Sequence, residues 1–270
     1  MTTATTPPIA LSIAGSDSGG GAGIQADLKT FHAHGVFGST AITAITAQNT
    51  LGVHGVHPIP AEMVRAQIDA VATDLPPRAF KTGMLATAEL VRTVRDAIGA
   101  HGLLNYVLDP VMVASSGDRL LDREAERTVL ELLVPVSAVV TPNLHEAEIL
   151  VGFAVGDETA MERAAEQLVE AGAAAALVKG GHLEGTETVD ILFDGEEMHR
   201  WRRPRLETRN SHGTGCTLSA ALAAGLALGL PVVEATGLAL DFVHRALVTA
   251  PDLGGGHGPL NHLLAPHRAA

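Results

Sequence analysis

A chain of 270 residues, 46 % of them hydrophobic, is long enough for one large α/β domain or two small ones and too apolar to be disordered. Its formal charge is −12, from 30 acidic against 18 basic residues without a Lys/Arg run, which argues against a broad nucleic-acid or anionic-membrane surface and requires any phosphate ligand to bind locally. One cysteine excludes an intramolecular disulfide framework and fits a reducing compartment.

Met1 to Pro8 is rich in Thr and Pro without a basic stretch, so residues 1–8 read as a flexible N-terminus with no secretory signal, and a cytoplasmic location is expected. Ile9 to Ala14 is a short apolar run of the kind that forms a buried parallel strand. A glycine-rich loop, Gly15 to Gly23, leads to Ile24–His34, where Ile24, Leu28 and Phe31 fall at helical spacing. Gly21, Gly23 and Ala26 match a G-x-G-x-x-A dinucleotide fingerprint. The glycines lie far beyond the strand, however, and the next acid after Asp27 is Glu62, so the ribose-binding carboxylate is missing. Locally, Asp27 is an ordinary helix-start acid.

Thr40 to Ala47 is β-branched and predicts a strand ending in Gln48-Asn49-Thr50 at the sheet's C-terminal edge, where open α/β sheets bind ligands. Gln48 there either reads a donor/acceptor pair or forms a turn. Ala61 to Thr73 predicts an amphipathic helix, Phe80 to Met84 a strand end, and Thr87 to Ala100 a helix capped by Thr87. Leu103 to Leu108 predicts a strand delivering Asp109-Pro110 to the same edge. Leu120 to Leu133 predicts a helix and Ser137 to Val140 a strand stopped by Pro142, after which Asn143 and Glu146 have capping-box spacing for the next helix. Glu158 to Ala171 predicts a helix and Ala174 to Val178 a strand leaving through Lys179-Gly180-Gly181-His182. Val189 to Phe193 and Glu197 to Trp201 flank Asp194-Gly195 as a hairpin. The uncharged stretch Cys216 to Val233 is rich in Ala and Gly and broken by Pro231, so it reads as a buried central helix rather than a membrane span.

Repeated β-α units with a late β-hairpin predict an α/β fold: a doubly wound, mostly parallel sheet with helices on both faces. No linker or repeat divides the chain, so residues 9–270 are expected to form a single domain. Gln48, Asp109, Asn143, Lys179 and the loop 213–216 all fall at strand C-termini. In Asn210-Ser211-His212-Gly213-Thr214-Gly215-Cys216 two glycines flank a threonine just before a helix, where backbone N–H groups converge on an anion. Cys216 in the first helical turn is either a small buried core residue or a thiol of lowered pKa available as a general base. With a lysine and carboxylates on the same edge, these are the parts of phosphoryl transfer, although there is no P-loop and no protein-kinase motif set.

Ala14 to Asp17 with Gly20 to Lys29, Ala47 to Thr50, Lys81 to Met84, Asp109 to Met112, Thr141 to Leu144 with Glu146, Lys179 to His182 and His212 to Cys216 together resemble hydroxymethylpyrimidine/phosphomethylpyrimidine kinases of the ribokinase-like superfamily. The resemblance runs in order from about Ile9 to Gly258. It implies ATP- and Mg²⁺-dependent phosphorylation of 4-amino-5-hydroxymethyl-2-methylpyrimidine, then of its monophosphate to the diphosphate, in thiamine biosynthesis. By the resemblance, Gln48, Asp27, Gly15 and the Met84 region hold the pyrimidine. Asp109 and Glu146, with Asn143, organise Mg²⁺ and its waters. Lys179 neutralises nucleotide phosphates, and Gly213, Thr214, Gly215 and Cys216 form the anion hole, with Cys216 as the base. It further implies a homodimer, while the charge balance argues for no nucleic-acid or membrane partner. The alternative is a pyridoxal kinase on the same scaffold. Gln48 argues for an aminopyrimidine, because the pyridoxal-selective branch tends to be apolar there. A dinucleotide oxidoreductase using Gly21 and Gly23, or a non-catalytic pyrimidine sensor, are rivals of other classes.

Overall fold

The computed structural model describes residues 6–112, 123–181 and 183–264. Met1–Thr5 of the expected flexible N-terminus, residues 120–122 of the expected helix, His182 and residues 265–270 lie outside the described residues. In chain order the elements are β1 (Ile9–Ala14), α1 (Gly23–Ala33), β2 (Phe37–Ile42), β3 (Ala44–Asn49), β4 (Gly52–Pro58), α2 (Ala61–Asp74), β5 (Ala79–Thr82), α3 (Ala88–His101) and β6 (Tyr106–Leu108). Then come α4 (Arg123–Leu132), β7 (Val139–Val140), α5 (Leu144–Val151), α6 (Glu158–Glu170), β8 (Ala176–Lys179), β9 (Glu187–Phe193), β10 (Met198–Pro204), α7 (Thr214–Ala227) and α8 (Val232–Val248).

The main sheet has eight strands in the order β10-β9-β8-β7-β6-β5-β1-β2. From β8 to β2 every pair is parallel, while β9 and β10 add an antiparallel edge. The central strands are apolar on both faces because both are covered. Side chains of α2 to α6 form the core of one face, including Ile68, Val94, Val129, Leu150 and Met161. Phe31 of α1, Leu222 of α7 and Phe242 of α8 belong to the core of the other. Helix α7 is buried from Thr217 to Ala227, consistent with its small, uncharged side chains. No helix among the described residues is long and apolar enough to cross a membrane.

Strand order reverses between β1, which continues outward to β2, and β5, which begins the run toward β8. The loops after β1 and β5 therefore open a crevice at the point where doubly wound sheets bind ligands. Here the structure corrects one expectation. The strand expected over Thr40–Ala47 is two strands divided at Thr43, whose N–H bonds the Ala14 carbonyl while its hydroxyl donates to the Met84 carbonyl at 2.7 Å. Beyond that pin β3 leaves the sheet and pairs antiparallel with β4. Gln48 thus rides on a separate hairpin above the crevice, not on the edge of a central strand. Strand β4, Gly-Val-His-Gly-Val-His-Pro, is exposed along most of its length, so it carries no burial pattern from which to read a strand.

Candidate active site

The loop leaving β1 is folded around its own acid. Asp17, 1 % exposed, accepts the N–H groups of Gly19 at 2.8 Å, Gly21 at 3.0 Å and Ala22 at 2.8 Å, and lies 2.8 Å from His212 Nε2. Burial opposes its ionisation, but the His212 and backbone bonds outweigh that and hold the carboxyl below its ordinary range. Because these N–H groups are turned inward onto Asp17, they do not form a pyrophosphate cradle, which removes the dinucleotide reading of Gly21 and Gly23.

The crevice floor is narrow at Gly15, where a Cβ would stand 2.9 Å from Met84 Cε and 3.6 Å from the Ala44 carbonyl. Gly15, Met84 and the base of β3 are therefore brought together, with Gln48 further along the same strand. Asp27, by contrast, is sealed beneath the floor with no exposed surface. Its Oδ2 accepts from Ser12 Oγ at 2.5 Å and from Lys81 Nζ at 3.1 Å, and Lys81 is equally buried. Burial raises the Asp27 carboxyl against the pull of Lys81, and the Asp27 charge raises Lys81 against its own burial. Asp27 is therefore not a helix-start surface acid, and its carboxylate is already occupied by Ser12 and Lys81.

Across the crevice, α7 begins at Gly213, which adopts φ 86° and packs where a Cβ would lie 1.8 Å from the Gly21 carbonyl. Only glycine fits that conformation and that approach. The turn aims the N-terminus of α7 along the sheet edge. Below it lie Lys179 and Asp109: a Cβ on Gly215 would stand 3.5 Å from Lys179 Nζ and 3.8 Å from Asp109 Oδ2. Asp109, 2 % exposed, accepts from Lys179 Nζ at 3.3 Å and from Ser219 Oγ at 3.1 Å. Residues 143 and 179 are bridged backbone to backbone, which brings the start of α5 beside the end of β8. The Asn143–Glu146 capping box is complete, with Asn143 N–H on Glu146 Oε2 at 2.8 Å and Glu146 N–H on Asn143 Oδ1 at 3.0 Å. Burial pushes Glu146 up to about 7, with Lys179 opposing and Asp109 adding to the rise. Glu146 is thus both a cap and a neighbour of the charged cluster.

Cys216 departs from the lowered-pKa alternative of the two read from its position. It is partly exposed and receives the Gly23 N–H. Desolvation nonetheless pushes the thiol up to about 11, helped by the carboxylates of Asp27 and Asp109 and opposed by Lys81 and that N–H. The helix terminus does not win, and the resting group is a thiol.

Asp17, His212, Lys81 and Ser219 also belong to the site but were not singled out by their local sequence. Asp17, Lys81 and His212 lie within the motifs that carry the resemblance, and Ser219 lies one helical turn beyond Gly215, which is the available signal. Among the described residues no group of three or more His, Cys, Asp and Glu side chains is placed to hold a metal ion by itself.

Residues 17–261 match the family model described as phosphomethylpyrimidine kinase. The hydroxymethylpyrimidine/phosphomethylpyrimidine kinase of Rhizobium meliloti (strain 1021) is 54 % identical over 257 residues, covering 94 % of this chain and 96 % of the relative. The crystal structure of phosphomethylpyrimidine kinase from Clostridium difficile 630 superposes with a TM-score of 0.80 at 40 % identity, covering 88 % of this chain and 99 % of that one. An ADP complex of Bacillus subtilis pyridoxal kinase superposes with a TM-score of 0.89 at 38 % identity, covering 95 % and 98 %.

Proposed function

Because the chain belongs to the phosphomethylpyrimidine kinase family, we propose that its crevice joins an aminopyrimidine site under the β3–β4 hairpin to an ATP site along the ends of β6, β7 and β8. The enzyme is a kinase of thiamine biosynthesis with the ribokinase-like fold. It phosphorylates the hydroxymethyl group of 4-amino-5-hydroxymethyl-2-methylpyrimidine with ATP, and then the monophosphate to the diphosphate. The observation that carries the residue assignments is the meeting of Lys179, Asp109 and Ser219 beside Gly215, which sets a cation next to the N-terminus of α7.

In this reading Gln48, Gly15 and Met84 hold the pyrimidine ring, and Asp27 supports them from beneath through Lys81. The N–H groups of Gly213, Gly215 and Cys216 receive the transferring phosphoryl group as the acceptor oxygen bonds to phosphorus and ADP leaves, while that of Thr214 is held by the Ser211 carbonyl at 3.3 Å and shapes the turn. The acceptor proton goes to the thiolate form of Cys216. Lys179 neutralises nucleotide phosphates, and Asn143 borders them. Asp109 and Glu146 are neighbouring buried carboxylates, and two carboxylates with waters and phosphates are a donor set that suits Mg²⁺. Bound there, Mg²⁺ supplies charge neutralisation at the phosphates.

Residues 9–270 act as one domain in this reading, and the protein works in the cytoplasm. Exposed Phe37, Ile45, Leu51, Val56 and Met63 on β2, the β3–β4 hairpin and α2 support a homodimer. The pyridoxal kinase neighbour superposes so well that the scaffold alone does not choose the acceptor. Gln48 favours the pyrimidine, since its amide offers a donor beside an acceptor. Purified protein with ATP and Mg²⁺ will show kcat/KM for hydroxymethylpyrimidine and its monophosphate well above that for pyridoxal. A pyridoxal value equal to or above theirs defeats the assignment.

A further inference from the structure

Gln48 rides on a two-stranded hairpin, and such a ribbon is marginally stable at best by its own pairing. That pairing is interrupted at Gln48 itself. The register of β3 on β4 joins Ala47 to Gly55 but Gln48 to Val53, so His54 is left over as a bulge. A side chain carried at such a point meets a ligand at one fixed place only if something other than β4 holds its backbone.

The hold comes from the loop after β1. Ser18 Oγ donates to the Gln48 carbonyl at 2.7 Å and accepts the Gln48 N–H at 2.8 Å. The first bond uses the single hydroxyl hydrogen and the second a lone pair, so the two do not compete. Neighbouring contacts continue the same seam along β3. Ser16 N–H bonds the Ala44 carbonyl at 2.8 Å, and Thr46 Oγ1 donates to the Ser16 carbonyl at 2.8 Å. A Cβ on Gly19 would stand 3.2 Å from Asn49 Cα and 3.3 Å from the Gln48 carbonyl oxygen, so the loop approaches the strand about as closely as glycine permits. Asp17, between the two serines, keeps the loop in shape by accepting the N–H groups of Gly19, Gly21 and Ala22.

We infer that Ser18 is the positioning residue for Gln48: its hydroxyl pairs with both backbone groups of Gln48 opposite the β4 bulge, and so holds the amide at one height above the crevice floor of Gly15 and Met84. The ligand class whose selection depends on that height is a heteroaromatic ring with an amine next to a ring nitrogen, because a donor and an acceptor on the ring must both come within hydrogen-bond reach of one amide. This rests on the reading of Gln48 as the group that meets the aminopyrimidine. It gives Ser18, an exposed loop residue with no contact to the reacting groups in that reading, a part in selectivity.

The test compares kcat and KM for 4-amino-5-hydroxymethyl-2-methylpyrimidine with those for its analogue carrying hydrogen in place of the amine, at saturating ATP and Mg²⁺. Both Ser18 contacts are exposed, so water takes the place of the hydroxyl in Ser18→Ala and the fold is retained. Ser18→Ala raises the KM of the aminopyrimidine about tenfold, as expected when two directed bonds that place one amide are lost, and shifts that of the analogue less than about threefold. Ser18→Thr, which keeps the hydroxyl, restores most of the preference. In a Gln48→Met background Ser18→Ala produces no further loss of preference, because Ser18 acts only through Gln48. Equal loss for both substrates, or independent losses that multiply in the double variant, overturns the inference. If Gln48→Met abolishes the preference while Ser18→Ala leaves it intact, only the positioning role falls. If Gln48→Met itself leaves it intact, Gln48 does not read the ring and both readings fall. Thermal melting checks that each variant folds; should Ser18→Ala fail to do so, Ser18→Val against Ser18→Thr, which differ by the hydroxyl at nearly equal shape, carries the same expectation.

Discussion

Replacing Cys216 by alanine separates the α7 turn as an anion hole from the thiol as a base. With the thiol pushed up to about 11, roughly one molecule in 10⁴ carries thiolate at pH 7. Base catalysis through that fraction rises about tenfold per pH unit until the thiol titrates. A base whose pKa lies this far above the working pH operates well below its best, so the expected loss of kcat at pH 7.5 is about 10²-fold, the lower end of what general bases contribute. The gap between the two proteins widens toward pH 9.5. Truncation removes one partly buried sulfur, so stability changes by about 1 kcal/mol and KM for ATP and acceptor stays nearly constant. The assay is steady-state ADP release between pH 7.5 and 9.5 at saturating substrates, with melting curves as the control. Parallel pH profiles and a loss below about tenfold would falsify Cys216 as the base. The loose transition state would then need only the hole and Lys179, and the kinase assignment would stand.

Asp27→Asn leaves the fully buried Lys81 ammonium without its carboxylate and is expected to lower stability by about 3–5 kcal/mol in urea unfolding; combining it with Lys81→Met recovers more than half, and no recovery would mean that the pair is not the cause. Glu146 titrates near 7 in the fold against 4.5 unfolded, so the native state holds the proton more tightly, and this group's stabilisation is complete below about pH 4.5 and lost as pH rises through 7. Glu146→Gln, which keeps an acceptor for the Asn143 N–H, should therefore leave stability unchanged at pH 4.5 and raise it at pH 8 by about 2–3 kcal/mol in the absence of nucleotide and Mg²⁺; a variant no more stable at pH 8 than the parent refutes the shift.

What was legible in the sequence follows how far apart in the chain the cooperating groups lie. The Thr87 cap and the Asn143–Glu146 capping box join residues three apart, and local spacing alone predicts them correctly. The parallel strands are readable for a related reason, since burial on both faces makes each a local apolar run. Strand β4 is paired but exposed, so it leaves no such trace, and without it local sequence puts Gln48 at the end of a central strand rather than on the β3–β4 hairpin. The contact between Asp17 and His212 spans 195 positions and has no local signature at all. Cys216 shows the same limit in electrostatics. Its place in the first turn of α7 is local and predicts a lowered pKa. Its burial and its two carboxylate neighbours, Asp27 from α1 and Asp109 from the end of β6, come from distant segments and reverse the sign. The parts of this catalytic edge can therefore be listed from sequence, whereas their protonation and orientation are properties of the assembled crevice.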